Sequence, residues 1–209
     1  LDGMVYATIV HSPVFGGKLK SFKKASVSDI SGVINIFAIE SGLAIVARNT
    51  WAALKAKKQI EINWDEGQDA RLDSEKIRKD LLDASKEKGG IVRKEGNVKK
   101  ALKSSENQIE ATYESPLQAH ATMEPMNCTA FVQRDKCQVW AGTQNPNGAR
   151  KIASKITGLS KKQVEVNVSF LGGGFGRRAF NDFVKEAVEI SNEMKKPVKL
   201  TWSREEDMQ

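Results

Sequence analysis

VEVNVSFLGGGFGRRAFNDFVKEAVEI, Val164 to Ile190, decides how the rest of the chain is read. Val164, Val166 and Val168 alternate with Glu165, Asn167 and Ser169, the period of two expected of a half-buried strand. Phe183, Ala187, Ile190 and Met194 then recur at three- and four-residue spacing, an apolar helical stripe, with Asp182, Lys185, Glu186 and Glu189 expected on the opposite, polar side. Between strand and helix lie Gly172, Gly173, Gly174, Phe175 and Gly176, where missing Cβ atoms let backbone amides approach a ligand and adopt positive φ. A turn feeding a helix N-terminus presents unpaired amides, and Arg177 and Arg178 add forked donors suited to phosphate. The spacing excludes two nucleotide motifs: Arg177 stands where the dinucleotide fingerprint needs its third glycine, and no Lys-Ser or Lys-Thr pair follows to complete a P-loop. The loop points to a polar or phosphorylated ligand without naming it; the plainer reading is a glycine connection packed close against neighbouring backbone.

Working outward, Pro197 to Trp202 reads as a strand after the helix, and GTQNPNGARKIASKITG before it reads as a helix capped by Asn145, begun by Pro146 and ended at Gly158. CTAFVQRD and CQVWAG are strands joined by a tight turn near Arg134 to Lys136, and QIEATYESPL is a third strand candidate. Residues 65–106 are rich in Asp, Glu, Lys, Gly and Ser, with thin helices expected from Asp73 to about Lys88 and over Val98 to Ser104. Upstream, Met4 to Pro13 and Lys18 to Lys24 read as strands, Val33 to Glu40 and Leu43 to Arg48 as a hairpin, Thr50 to Gln59 as a helix capped by Asn49 or Thr50, and EINW as a short strand. The fold class is α+β: an N-terminal lobe over residues 1–64, a charged connector over 65–106, and part of a second lobe over 107–209.

Composition narrows the function classes. A hydrophobic share of 40% is enough for a core, and no run approaches a membrane span, so a globular chain is expected with no transmembrane segment. The start, LDGMVYATIV, shows neither initiator methionine nor signal peptide, which suggests an internal excerpt of a longer protein; cytoplasm and periplasm both stay open. The net charge of +7 is spread over many elements and only 7% of residues are aromatic, so nucleic acid is not expected as a partner. Cys128 and Cys137 have neither disulfide-framework nor metal-ligand spacing and read as buried small hydrophobes; no metal ligands are assigned.

Three isolated polar groups remain. His120 and Glu124, in AHATMEPMNC, lack a nucleophile or a second histidine, so they read as structural or supporting residues before an acid/base pair. His11, before Ser12-Pro13, reads as a satisfied core or surface histidine. Gln144 stands between a strand end and a helix start, a place from which its amide can meet an oxo or carbonyl oxygen, or join a capping network with Asn145 and Asn147.

Taken together, HATMEP (His120 to Pro125), TQNP (Thr143 to Pro146), LGGGFGRR (Leu171 to Arg178) and PVKLTWSREEDM (Pro197 to Met208) resemble the molybdopterin-binding large subunit of the xanthine oxidase family of molybdenum hydroxylases. HATMEPMNCTA and the RR pair are most similar to the isoquinoline 1-oxidoreductase β-subunit type, also known as aldehyde dehydrogenase-like. The likeness is strong from about Tyr113 to Gln209 and looser over Leu1 to Trp64, where GMVYATIVHSP resembles the start of a hammerhead-like lobe.

The resemblance implies oxidation of an N-heterocycle or aldehyde with water-derived oxygen, electrons leaving through a small [2Fe-2S] partner subunit. It places Gln144, Gly173, Gly174, Phe175 and Gly176 beside the metal and pterin. A cytosine dinucleotide on the pterin would give Arg177 and Arg178 a phosphate partner. Ala179 stands where purine-oxidising relatives carry glutamate, so a purine substrate is not expected. The family's general-base glutamate is expected beyond residue 209, leaving no catalytic residue in this chain. The isolated chain is therefore expected to be inactive, to lack the cofactor, and to self-associate through an exposed apolar face. The alternative from a different class is a non-catalytic nucleotide- or phosphate-binding module using the GGGFGRR loop.

Overall fold

The computed structural model describes residues 1–208. The chain divides into two compact units, Leu1–Ala70 with Ala119–Gln209, and Arg71–Gln118. The first is α+β. Its strands are β1 (Val5–His11), β2 (Lys18–Lys23), β3 (Val33–Ile39), β4 (Gly42–Ala47), β5 (Glu61–Asp65), β6 (Asn127–Val132), β7 (Cys137–Ala141), β8 (Val164–Val168) and β9 (Val198–Thr201), and its helices are α1 (Thr50–Gln59), α4 (Pro146–Thr157), α5 (Asp182–Met194) and α6 (Arg204–Asp207). The second unit carries α2 (Ser74–Lys86) and α3 (Val98–Ser104), with an Arg78–Glu114 ion pair of 2.8 Å.

Seven strands form one mixed sheet in the order β3-β4-β1-β9-β6-β7-β8, and β2 pairs with β5 alone. The expected hairpins are present as antiparallel β3–β4 and β6–β7 pairs. The C-terminal strand β9 inserts between β1, to which it runs parallel, and β6, to which it runs antiparallel. This insertion makes one sheet of the N-terminal and C-terminal parts of the chain. The main core, from Val5, Ala7 and Ile9 to Val139, Phe183, Ile190 and Leu200, spans the join.

Local chemistry accounts for the helix ends. Asn49 accepts from the Ala52 amide at the start of α1, and Asn145 accepts from the Gly148 amide at the start of α4, where Pro146 is the first helical residue. Gly158 closes α4 with φ 72°, a left-handed conformation that suits glycine. Both cysteines are buried and free, and burial raises both thiols, that of Cys137 to about 11.

Two expectations are corrected. QIEATYESPL forms no strand; residues 107–121 carry neither helix nor strand, because alternation supplies a pattern but no backbone partner, and an unpaired strand does not persist. Glu186 does not lie on a solvated face. It is 1% exposed, because β1 and the turn before β4 close over that side of α5.

Glu186 accepts hydrogen bonds from Ser41 Oγ (2.7 Å) and Trp202 Nε1 (2.8 Å), and meets His11 Nε2 at 2.7 Å. The other ring nitrogen, Nδ1, faces Glu206, whose second oxygen accepts from Lys57 Nζ (2.6 Å). An imidazole between two carboxylates can donate to both only as the imidazolium. Burial by itself lowers the His11 pKa, but the hydrogen bonds and charges of Glu186 and Glu206 outweigh it and raise the value from 6.5 to about 9. Burial likewise raises Glu206, but His11 and Lys57 outweigh it and leave its pKa below the ordinary 4.5.

The network therefore stabilises the fold most between about pH 4.5 and 6.5. The His11 contribution is complete below 6.5 and disappears as pH rises through about 9; that of Glu206 disappears on acidification below 4.5. Thermal unfolding across this range should show stability declining on the alkaline side. His11→Gln should flatten that limb and cost about 3 kcal/mol at mildly acid pH, the size expected for a broken buried ion pair.

Candidate functional site

β7 and β8 run parallel with Ala141 opposite Val168, so their C-terminal ends lie side by side. The connections leaving those ends, Gly142 to Asn145 ahead of α4 and Ser169 to Asn181 ahead of α5, meet at one edge of the sheet. Crevices at the carboxyl ends of parallel strands are where such sheets bind ligands. Chain topology thus brings TQNP and GGGFG together.

Hydrogen bonds lock the two turns to each other. The Gln144 amide donates to Arg178 O (3.1 Å), Thr143 Oγ1 donates to Asn181 Oδ1 (2.8 Å), and Asn181 Nδ2 donates to Asn145 O (3.1 Å). Thr143 and Asn181 are both buried. The Gly176 N–H donates to Gln144 Oε1 (3.1 Å). That bond sets the orientation of the carboxamide, since an N–H needs the oxygen and not the NH₂. Gln144 Nε2 is left as a donor with no acceptor among the described residues.

The loop itself is held in left-handed backbone at Gly173 (φ 97°), Phe175 (φ 51°) and Gly176 (φ 92°). Phe175 is the non-glycine residue among the three, and its ring is exposed. Arg177 N–H donates to Gly174 O (2.8 Å) and Ala179 N–H to Gly176 O (3.0 Å). The amides of Gly173, Gly174 and Phe175 have no acceptor among the described residues. Two glycines sit at close approach: a Cβ on Gly172 would lie 2.5 Å from Glu124 Cβ, and one on Gly174 would lie 2.7 Å from Gln144 Oε1.

Both arginines turn inward. Arg177 makes two hydrogen bonds to Asp182 (3.0 and 2.9 Å) and lies over the Trp202 ring at 5.1 Å. Arg178 is fully buried and donates to Gly173 O (2.8 Å), Gly142 O (3.3 Å), Glu124 O (2.7 Å) and Glu124 Oε2 (2.9 Å). The forked donors of Arg177 and Arg178, read from sequence as suited to phosphate, are directed to these internal partners.

Glu124, read from sequence as a supporting residue, is the acceptor that holds the loop. Its Oε2 also accepts from the Gly172 amide (2.9 Å) and its Oε1 from Asn127 Nδ2 (2.8 Å). Burial raises its pKa, but the Gly172 amide, Asn127, Arg178 and Lys199 outweigh it and keep the carboxylate ionised below its ordinary range. His120 is exposed and reaches toward Gly176, its Nε2 4.0 Å from where a Cβ there would stand. Among the described residues no group of three His, Cys, Asp or Glu side chains is arranged to hold a metal ion.

The fit of the two glycines differs in kind. Gly172→Ala pushes against the base of the Glu124 side chain and should cost about 1–3 kcal/mol of stability. Gly174→Ala meets the far end of Gln144 and should swing that side chain aside with little change in Tm. Thermal unfolding distinguishes the two, and a crystal structure of Gly174→Ala should show Gln144 displaced from Gly176.

Residues 84–209, more than half of the chain, match the molybdopterin cofactor-binding domain family. The chain is 28% identical to the β-subunit of isoquinoline 1-oxidoreductase from Brevundimonas diminuta, an alignment covering 100% of this chain and 28% of that protein. It is 21% identical to a subunit of the nicotinate dehydrogenase of Pseudomonas putida, covering 99% of this chain and 18% of that one. The chain thus spans less than a third of the length of either relative. Its fold resembles aldehyde oxidoreductase from Desulfovibrio gigas (TM-score 0.74, 13% identity, 99% of this chain and 28% of that one) and quinoline 2-oxidoreductase from Pseudomonas putida 86 (TM-score 0.71, 17% identity, 99% and 32%). With the match resting on the half of the sequence that contains HATMEP, TQNP and LGGGFGRR, the chain belongs to the molybdopterin cofactor-binding domain family.

Proposed function

We propose that the chain forms part of the large subunit of a molybdenum hydroxylase acting on an N-heterocycle or an aldehyde, and that Gln144 and the Gly173 to Gly176 loop line its cofactor. When bound, the molybdenum-pterin group supplies the oxidation, with oxygen from water and electrons passed to an iron-sulfur partner. The residues here bind and orient.

The observation that carries this reading is the Gly176 N–H donated to Gln144 Oε1. It occupies the amide oxygen and leaves Gln144 Nε2, beside Gly174, as a neutral donor, which suits an oxygen ligand that itself carries no proton. The three unpaired amides of Gly173, Gly174 and Phe175 add donors in the same turn. A side chain at position 174 would occupy space beside the Gln144 amide, so the turn is shaped for close backbone approach. A cytosine dinucleotide on the pterin is part of the proposal, with its phosphates met by backbone donors, since Arg177 and Arg178 are engaged with Asp182 and Glu124. The same engagement disfavours a free-standing nucleotide-binding module that relies on those two arginines.

The full-length protein, purified from a host that makes the cofactor, should contain molybdenum and a pterin cytosine dinucleotide in proportion to the polypeptide. Well-folded protein with neither would overturn the proposal. Gln144→Glu keeps the acceptor for Gly176 but removes the donor. It should leave Tm unchanged while lowering turnover of an N-heterocycle or aldehyde roughly 100-fold, the cost of losing one preorganised donor. Turnover at the wild-type rate would show that the donor has no part in the reaction.

A further inference from the structure

The largest fully buried side chain of the described residues is a charged one, Arg178. Burial lowers its pKa, yet a guanidinium stays protonated in proteins, so a full positive charge sits inside the fold. Such a group is costly to desolvate and is retained only where its hydrogen bonds are satisfied. Here they reach three separate segments. Nε donates to Gly173 in the loop, Nη1 to Gly142 at the end of β7, and Nη2 to both the carbonyl and the carboxylate of Glu124. Glu124 in turn accepts from the Gly172 amide and donates its own N–H to Gly172 O (3.1 Å), gripping the loop from the other side.

These are the segments that carry the candidate site. Gly142 precedes Thr143 and Gln144, and Gly173 begins the run of unpaired amides. The loop also carries left-handed φ at three of its positions, including the side-chain-bearing Phe175. Backbone of that kind persists when its surroundings over-determine it.

We propose that Arg178 and Glu124 are a positioning pair: together they preset the Gly172 to Gly176 loop and its distance from Gln144, so that the donors hold one arrangement before any ligand arrives. Neither residue is assigned contact with the cofactor; they act through the loop. That the loop's ligand is the molybdenum-pterin group rests on the function proposed above, whereas the shaping of the loop rests on the hydrogen bonds alone.

The test uses the full-length protein as wild type and as Arg178→Lys, Arg178→Met and Glu124→Gln. Lysine keeps the charge but has no planar fork with which to bridge three segments. Amide hydrogen exchange is measured first on cofactor-free protein. Arg178→Lys should speed exchange of the hydrogen-bonded amides of Gly172, Gly176 and Arg177 at least ~10-fold while β6 and β7 keep wild-type protection, because opening is local. Exchange at the wild-type rate in both Arg178→Lys and Glu124→Gln, or acceleration spread equally through β6 and β7, would overturn the proposal. If Arg178→Met fails to fold, the other two variants carry the test.

On cofactor-loaded protein, the electron paramagnetic resonance spectrum of the metal should change in Arg178→Lys and the metal should be released faster than from wild type. A wild-type spectrum with wild-type retention would overturn the positioning role even where local exchange has risen. If wild-type protein takes up no metal, the function proposed above fails, and the exchange measurement still decides whether the pair shapes the loop.

Discussion

The parallel register of β7 and β8 is the constraint on which the site depends. A parallel pair cannot be joined by a hairpin; it needs a crossover, and α4 supplies it between Ala141 and Val164. The consequence is geometric. Two turns that are far apart in the chain leave the sheet at the same edge, so that the carboxamide of Gln144 meets the amide of Gly176. Neither turn has the site by itself. TQNP alone is a capped helix start, and GGGFG alone is a glycine connection; their meeting makes a neutral donor and a run of free amides neighbours.

Two clusters of buried charge join segments distant in sequence. Arg178 ties the loop, the end of β7 and residue 124 to one another. His11, Glu186, Glu206 and Lys57 tie β1, α5, α6 and α1. Trp202 belongs to the second: its ring lies edge-on to His11 and beneath Arg177, and its Nε1 donates to Glu186. Buried ions of this kind contribute little net stability compared with apolar residues of the same shape, but removing one partner is costly because the other is left without compensation. Their effect is to make one arrangement of these segments far better than its neighbours. That suits a site built from backbone amides, whose positions are only as definite as the chain that carries them.

The local elements were legible from the residues. Asn145 as cap, Pro146 as first helical residue and Gly158 as terminator act through their own backbone and the next few residues, and they bound α4 as expected. The hairpin of β3 and β4 followed from two apolar runs about Ser41-Gly42, and the loop from its glycines. QIEATYESPL had the alternation of a strand but no pairing edge, and α5 had a polar stripe that included Glu186 although that face is closed over. In both cases the pattern was local and the outcome was decided by a distant segment.

By itself, therefore, the sequence determined the α+β class, the caps and turns, the glycine loop between β8 and α5, and the family through HATMEP, TQNP and LGGGFGRR. Only the tertiary structure decided which way each polar group faces. His11 and Glu186 pair across 175 residues, and Arg178 reaches Glu124 across 54, so neither bond leaves a periodicity or a spacing to be read. An arginine beside a glycine loop looks the same in sequence whether it points to a phosphate or to a buried carboxylate. The difference lies in what the sheet brings to its other side.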